Sequence, residues 1–300
     1  AQSLKIAAGD FGVGIGDVRR LDGLRINFRD RDLERVRGVN ITVWRPHEES
    51  DGVIRGLAMG LPLTGAGEIT GVALAGGFGA QRDFTGIGIG LVGAGAGRDL
   101  RGISVGGIGL GAGRDLRGLN VGGVGIGAGR DVLGISVGGI GIGAGGAITG
   151  IAVGGLGVGA GGSVRGLTIG GLGVGAGGDY TGIAIAGLGI GSGGEIRGVA
   201  VAGLGVGAPA ITGLAVGGVG VGAADARGLM VAPAFFRTEE EGRLRGAAVS
   251  AFNHIRGRQH GLTIGIVNIA DELHGLQLGL INIARNKERF PVLPLVNYHR

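Results

Sequence analysis

The sequence of 300 residues contains no cysteine and few aromatic residues. Without cysteine we expect no disulfide, no thiolate metal site and no lipid-modified amino-terminal cysteine. Aromatic residues make up 4% of the chain, with one tryptophan, so the stacking platforms that bind single-stranded nucleic acid are missing. The net charge of +5 is small for this length, and we expect no nucleic-acid partner.

Long hydrophobic runs are also missing, because glycine interrupts every candidate, and we predict no transmembrane span. Glycine is abundant at 77 residues, yet proline is limited to 6 and there is no strict G-X-Y triplet. A collagen-like fibre and a disordered chain are therefore disfavoured. The chain begins Ala1-Gln2-Ser3 without methionine, as after signal-peptide cleavage, which predicts a secreted or outer-surface protein.

The main feature of the chain is a repeat of 16 residues, written three times between Gly97 and Ala144 as GRDLRGISVGGIGLGA, GRDLRGLNVGGVGIGA and GRDVLGISVGGIGIGA. Looser copies fill the remainder, each opening on glycine, an apolar residue, any residue and an apolar residue. The units open at Gly23, Gly38, Gly56, Gly71, Gly86, Gly102, Gly118, Gly134, Gly150, Gly166, Gly182, Gly198, Gly213, Gly228, Gly246, Gly261 and Gly275. A unit this short cannot bury its own apolar side, so the units must stack on one another.

Within a unit the apolar residues follow two-residue steps, which are typical of strands with one buried face. Two three-residue steps, from Leu100 to Ile103 and from Val105 to Ile108, shift this phase. If the shifts are corners, every apolar side chain points inward, and Gly106-Gly107 supplies the backbone freedom for a corner. We therefore predict an all-β fold, a parallel β-solenoid (β-helix) of about seventeen two-stranded coils.

On this interpretation the outward residues are small or polar in the first strand and almost all glycine in the second. The first-strand set is Arg25, Asn40, Ala58, Ala73, Gly88, Ser104, Asn120, Ser136, Ala152, Thr168, Ala184, Ala200 and Ala215. The second-strand candidates for binding are Gly109, Gly125, Gly141, Gly157 and Gly173. A flat face without long charged side chains lets another surface approach closely, which predicts lateral packing. The other interpretation is that glycine only satisfies tight coil geometry.

No linker divides the array, so we predict a single solenoid domain over 1–300. Its parts are polar amino-terminal coils at 1–37, a repeat body at 38–260, and carboxy-terminal coils with a capping tail at 261–300. The body carries corner insertions at 44–52 and 233–242. Their aromatic residues Trp44, Phe235 and Phe236 are candidate contacts with a specific partner.

Near the carboxy terminus the pattern changes to GLTIGIVNIA at 261–270 and GLQLGLINIA at 275–284, before a tail that contains PLVN. Asn268 and Asn282 are expected to replace outward glycines here, and the tail to form a cap. In these residues the chain resembles bacterial surface-repeat proteins built from GLQxGLxNxA-type units with a PLVN-like tail. The resemblance covers about the last 40 residues. It implies export or a surface location and no known catalytic residues.

Few residues could carry chemistry. Asp83, Asp99, Asp115 and Asp131 recur at coil spacing with an arginine before each, and a solvated ion-pair ladder is favoured over a cation site. His260 and His274 occupy equivalent positions in consecutive coils, but two histidines without a third ligand make a weak metal site. No nucleophile and base can be paired and no phosphate loop carries its lysine, so we predict no enzyme and no cofactor.

The sequence thus predicts a non-catalytic, exported structural repeat protein. We expect it to self-assemble, or to attach to a cell-surface component, through flat glycine-rich faces. The alternative is a binding module for a glycan, ice or another surface ligand that acts as a monomer. An ice-binding face would show a threonine column, and here Thr70 and Thr85 are followed by Arg101 and Arg117 at the same position.

Overall fold

The computed structural model describes residues 3–29, 31–46 and 51–299. All regular secondary structure in these residues is β-strand. The strands form parallel stacked coils, about 16 turns in all, which confirms the predicted parallel β-solenoid. Two compact units are distinguished, Ala1–Gly154 and Gly155–Arg300, and each is described by itself.

The first unit contains fourteen strands in the described residues. They are β1 (Ser3–Ala8), β2 (Phe11–Gly16), β3 (Arg20–Asn27), β4 (Arg35–Thr42), β5 (Val53–Ala66), β6 (Glu68–Ala80), β7 (Phe84–Ala96), β8 (Leu100–Gly106), β9 (Gly109–Ala112), β10 (Leu116–Gly122), β11 (Gly125–Ala128), β12 (Val132–Gly138), β13 (Gly141–Ala144) and β14 (Ile148–Gly154). The antiparallel pair β1–β2 opens this unit, and the strand pairs that follow are parallel.

The second unit contains twelve strands in its described part. They are β15 (Gly157–Ala160), β16 (Val164–Gly170), β17 (Gly173–Ala176), β18 (Tyr180–Ala186), β19 (Gly189–Ser192), β20 (Glu195–Ala202), β21 (Gly205–Gly217), β22 (Gly220–Val231), β23 (Phe235–Val249), β24 (Phe252–Ile264), β25 (Val267–Ala284) and β26 (Val292–His299). The tail strand β26 runs antiparallel to β25, while β20 to β25 pair in parallel.

From β8 to β19, each coil consists of a first strand of seven residues and a second strand of four. First strands β8, β10 and β12 pair in register, so that Leu100, Leu116 and Val132 form one column. Second strands β9, β11 and β13 pair in the same way. Because the register equals the sequence repeat, equivalent residues of successive coils stack into columns along the unit.

Glycine is required at the corners of the coil. The seventeen glycines that open the units all have positive φ, and at Gly118 the angle is 115°. A Cβ added there would lie 2.1 Å from the carbonyl oxygen of Gly102 in the preceding coil. At a second corner, a Cβ on Gly123 would lie 1.8 Å from the carbonyl oxygen of Gly107. A side chain at these corners would separate the coils, so here glycine does satisfy coil geometry.

The predicted direction of the first-strand side chains is wrong. Leu100 and Leu110 are buried as expected, but Ile103 is 44% exposed, Ile108 is 57% exposed, and Ser104 is completely buried. The alternation continues through the positive-φ glycine Gly102 without a shift, so the next inward side chain after Leu100 is that of Ser104, and the three-residue step to Ile103 does not change the phase. The whole first-strand set that was expected to be outward therefore lies in the interior, from Arg25 to Ala215.

The interior beside the first strands is narrow. From Asn40 to Ala215 the column of Ser104 carries only serine, asparagine, threonine, alanine or glycine, and the larger buried residue Met230 follows Ala215 in register. Arg25 is the exception near the amino terminus, where its Nε donates to the Val18 carbonyl oxygen at 2.8 Å and its Nη1 to Asn40 Oδ1 at 2.8 Å. A buried guanidinium is tolerated there because hydrogen bonds replace its hydration.

In the last coils one inward column changes from apolar residues to asparagine. Asn253 Nδ2 donates to Asn268 Oδ1 at 2.8 Å, and Asn268 Nδ2 donates to Asn282 Oδ1 at 2.7 Å. All three amides are buried, so the expectation that Asn268 and Asn282 face outward is wrong. They stack in the inward column that Val221 and Phe236 occupy in earlier coils. Each buried amide requires a partner, and the neighbouring coil supplies an identical one.

Candidate interaction surface

The first strands carry branched apolar side chains on their outer side, which we name the apolar face. In the first unit its two columns are Ile87, Ile103, Leu119, Ile135 and Ile151, and Ile89, Val105, Val121, Val137 and Val153. In the second unit they are Leu167, Ile183, Val199, Leu214 and Leu229, and Ile169, Ile185, Val201, Val216 and Val231. These side chains are exposed or half-buried, and a contiguous apolar surface of this kind is unusual for a monomer.

A corner column adjoins the apolar face in each unit. It consists of Ile108, Val124 and Ile140 in the first unit, and of Leu156, Leu172, Leu188, Leu204 and Val219 in the second. All of these side chains are exposed. The branched apolar surface is thus three residues wide, and continues to the start of each second strand.

The second strands carry glycine on their outer side, which we name the glycine face. Gly109 and Gly125 lie here as predicted, half-exposed, as do Gly141, Gly157 and Gly173. At Gly127 an added Cβ would meet no atom within 4 Å. The same is true of Gly111, Gly143, Gly159, Gly175, Gly191 and Gly207. Tight coil geometry therefore explains the corner glycines but does not explain this column.

The predicted aromatic contacts have different surroundings. Trp44 is half-exposed, and its carbonyl oxygen accepts a hydrogen bond from the Leu63 N–H at 3.2 Å. Residues 47–50 of that insertion lie outside the described residues. Phe235 is 44% exposed, whereas Phe236 is completely buried and is therefore not a surface contact. The structure also limits the second insertion, because Phe235 to Thr238 occupy regular strand positions and the extra residues follow them.

The aspartate ladder is paired to arginine. Asp99 accepts hydrogen bonds from Arg101 at 2.5 Å and from Arg114 at 2.9 Å. Asp115 accepts from Arg117 at 2.6 Å and from Arg130 at 2.7 Å. An ion-pair ladder was predicted, but these two carboxylates are buried rather than solvated.

The arginines determine the charge state of the two buried carboxylates. The hydrogen bond from Arg130 holds the pKa of Asp115 far below its usual range, and Arg117 acts in the same direction. The hydrogen bond from Arg114 likewise lowers the pKa of Asp99, against the opposing effect of burial. Both groups are ionised and fully engaged, so they are structural and not free to act as acids or ligands.

His260 and His274 pair in register, and their rings stack with centroids 4.9 Å apart. Desolvation lowers the pKa of His260, and the neighbouring His274 adds to the effect. Within the part of the chain that the structure describes, no three histidine, cysteine or acidic side chains come together to hold a metal ion. The two imidazoles face each other by their flat sides, which does not aim their nitrogens at a common point.

Comparison with known proteins does not extend these observations. No family model, curated protein or solved structure matches the chain. Over residues 3–29, 31–46 and 51–299 there is no helix of the length and hydrophobicity needed to cross a membrane. The resemblance to surface-repeat proteins stays a prediction.

Proposed function

We propose that this chain is a non-catalytic, exported structural repeat protein that associates through the sides of its solenoid coils, primarily with further copies of itself. The observation that carries the proposal is the apolar face. Water-exposed columns of isoleucine, leucine and valine run beside the corner column in each unit, and covering such a surface is favourable by about 25 cal/mol for each Å².

The glycine face supports the same proposal independently. No atom of the described residues lies within 4 Å of a Cβ placed at Gly127 or Gly143, so a larger residue would fit there. Repeated glycine nevertheless leaves the backbone bare over successive coils. A bare strand surface allows a second flat sheet to approach at close range.

The spacing of the columns favours another copy as the partner. Branched apolar side chains at equivalent positions recur at the separation of neighbouring strands, which is about 4.8 Å. A partner fills such a surface over several coils only if its own contacts repeat at the same spacing, and another copy of this chain meets that requirement. The export part of the proposal is supported by the resemblance in the last 40 or so residues to surface-repeat proteins.

Sedimentation velocity across a concentration series tests the proposal. We expect the wild-type sedimentation coefficient to rise with concentration. Ile135→Glu on the apolar face and Gly127→Lys on the glycine face should each weaken association by about tenfold or more, since each buries a charge in the contact. Arg98→Glu is the matched control, because Arg98 is exposed at a corner away from both faces.

Circular dichroism and thermal melting should show that the variants remain folded, since Ile135 is exposed and Gly127 has open space around it. A wild-type protein that stays monomeric at high concentration would overturn the self-association proposal. That result would favour the alternative, a binding module that acts as a monomer.

A further inference from the structure

The glycine face of the second unit ends abruptly at one coil. Gly205 and Gly220 are followed in register by Phe235, and the adjacent outward column changes from Gly207 and Gly222 to Arg237 in the same step. The side-chain-free backbone of these four glycines, which we name the floor, therefore ends at the side chains of Phe235 and Arg237.

The ring of Phe235 lies against this floor. A Cβ at Gly220 would come within 2.4 Å of the ring carbon Cζ, so the distal part of the ring covers that glycine. The ring borders two adjoining hollows of about 730 and 500 Å³ that share Gly207 and Gly222 as floor. Together they form one trough, which we name the Phe235 trough, and it has the size of a small-ligand site.

Charged groups line the other side of the trough. Arg237 and Glu239 are exposed, and neither side chain makes a hydrogen bond or ion pair with another described residue. Glu240 and Arg256 pair with each other, and the backbone N–H of Arg256 donates to Thr238 Oγ1 at 2.8 Å. Two guanidinium groups and two carboxylates give this side of the trough no net charge. Arg237 remains available as a donor and Glu239 as an acceptor.

We infer that the Phe235 trough binds a neutral saccharide. A sugar ring presents C–H bonds on its flat side and hydroxyl groups at its rim. The C–H side fits the negative face of the Phe235 ring and the side-chain-free backbone of Gly207 and Gly222. The hydroxyl groups can accept from Arg237 and donate to Glu239, since each hydroxyl is both donor and acceptor.

The charges and the shape select this ligand over two others. An anionic polymer would need an excess of arginine, and the trough has equal numbers of both signs. A second solenoid needs a flat surface, and the Phe235 ring and the insertion at Glu239 and Glu240 interrupt the flatness here. The trough shares Gly207 with the glycine face, and Leu204 and Val219 with the corner column, but saccharide binding does not rest on the proposed self-association.

Isothermal titration calorimetry with cellohexaose, chitohexaose and maltohexaose tests the inference, with hexagalacturonate as the anionic probe. We expect at least one neutral probe to bind with a dissociation constant between about 10 μM and 1 mM. Phe235→Ala, and Gly207→Leu, which fills the floor at a position with open space, should each weaken binding by about tenfold or more.

Arg237→Ala should weaken binding several-fold through loss of a hydrogen bond to the sugar. Phe252→Ala is the matched control, because Phe252 follows Phe235 in register, is similarly exposed, and lies outside the trough. Its affinity should stay within about twofold of wild type.

Three results would overturn the inference: no heat with any neutral probe at millimolar concentration, binding that persists in Phe235→Ala, or binding of hexagalacturonate alone. The sedimentation experiment is independent of these titrations. Failure of the saccharide site would leave self-association measurable, and failure of self-association would leave the titrations interpretable.

Discussion

Two kinds of glycine stand a few residues apart in the same coil, at the corner and on the face. A Cβ at the corner position Gly123 would lie 1.8 Å from a carbonyl oxygen of the preceding coil, while a Cβ at Gly127 would meet nothing within 4 Å. The corner glycine is required by the stacking of coils. The face glycine is not, so its recurrence has to be explained by something outside the chain.

The same distinction separates the two sides of the first strand. Ser136 is in the interior, where the coil leaves room only for a small residue, and Ile135 beside it faces out. The narrow interior limits the size of the side chain in the column of Ser136. The column of Ile135 faces outward and has no such limit. A position that the fold leaves free but that still repeats is a candidate for recognition, and four predictions follow this division.

The largest effect is expected at a corner. In Gly118→Ala the new Cβ would clash with the Gly102 carbonyl oxygen at 2.1 Å, at a backbone φ of 115° that alanine rarely adopts. We expect a loss of unfolding free energy of about 3 kcal/mol or more, because the backbone of two coils must separate. Guanidinium denaturation followed by circular dichroism measures it. A loss below about 1 kcal/mol would break the distinction between corner and face.

The second effect tests which side of the first strand is the interior. Ser136→Leu forces a large side chain into a narrow core and should destabilise by about 2 kcal/mol. Ile135→Ser, on the opposite side, should change the free energy of unfolding by less than about 1 kcal/mol. If Ile135→Ser were the more destabilising of the two, the result would support the arrangement that apolar periodicity alone predicts, with Ile135 buried and Ser136 exposed.

The sequence was sufficient to predict the solenoid and its strands, because the repeat and the two-residue steps follow directly from stacking. It did not lead to the correct phase, since the prediction assumed that isoleucine at Ile103 must be buried. The informative signal was the restricted size of the Ser104 column, which holds only small residues from Asn40 to Ala215. The strict alternation of the strand continues through Gly102, so Ser104 and not Ile103 shares the inward side with Leu100, which hydrophobicity alone does not reveal.

For the interaction surface, the glycine face could be predicted from the sequence, but the apolar face could not. The glycine face followed from outward second-strand positions, which are correct for Gly109 and Gly125. The apolar face was missed, because its residues had been assigned to the core. The Phe235 trough also depends on the register between coils, which places Phe235 beside Gly220 and Arg237 beside Gly222. The short insertion that follows Thr238 makes that register hard to read from spacing alone.

The third prediction concerns stability at acid pH. It compares the aspartates Asp99 and Asp115, which are paired with arginine, with the uncharged apolar and glycine faces. The folded-state pKa values of Asp99 and Asp115 lie below the ordinary value of 3.8. Their contribution to stability is therefore present above about pH 4 and is lost as the pH falls further toward the folded-state values. The denaturation midpoint, measured from neutral pH down to about pH 2, should therefore decrease as the pH falls below about 4.

The double variant Asp99→Asn and Asp115→Asn should be less stable than wild type at neutral pH and should show a weaker pH dependence below about pH 4. Gly127→Ala is the control, because it removes no titrating group and should keep the wild-type pH dependence. An unchanged acid slope in the double variant would show that other carboxylates dominate acid unfolding.

The smallest effect is expected on the glycine face, where its sign matters more than its size. The backbone at Gly111, Gly127 and Gly143 is not in the positive-φ region, and each position has open space for a methyl group. Replacing all three by alanine should therefore stabilise the chain by about 0.5 kcal/mol for each site, because alanine reduces the freedom of the unfolded state. Thermal melting measures this gain, and sedimentation velocity on the same sample measures association. If the alanine variant is more stable but associates more weakly, glycine at these positions lowers the stability of the fold. Its role is then in the contact between surfaces. If stability falls, the coil does require these glycines, and the contrast between corner and face is lost.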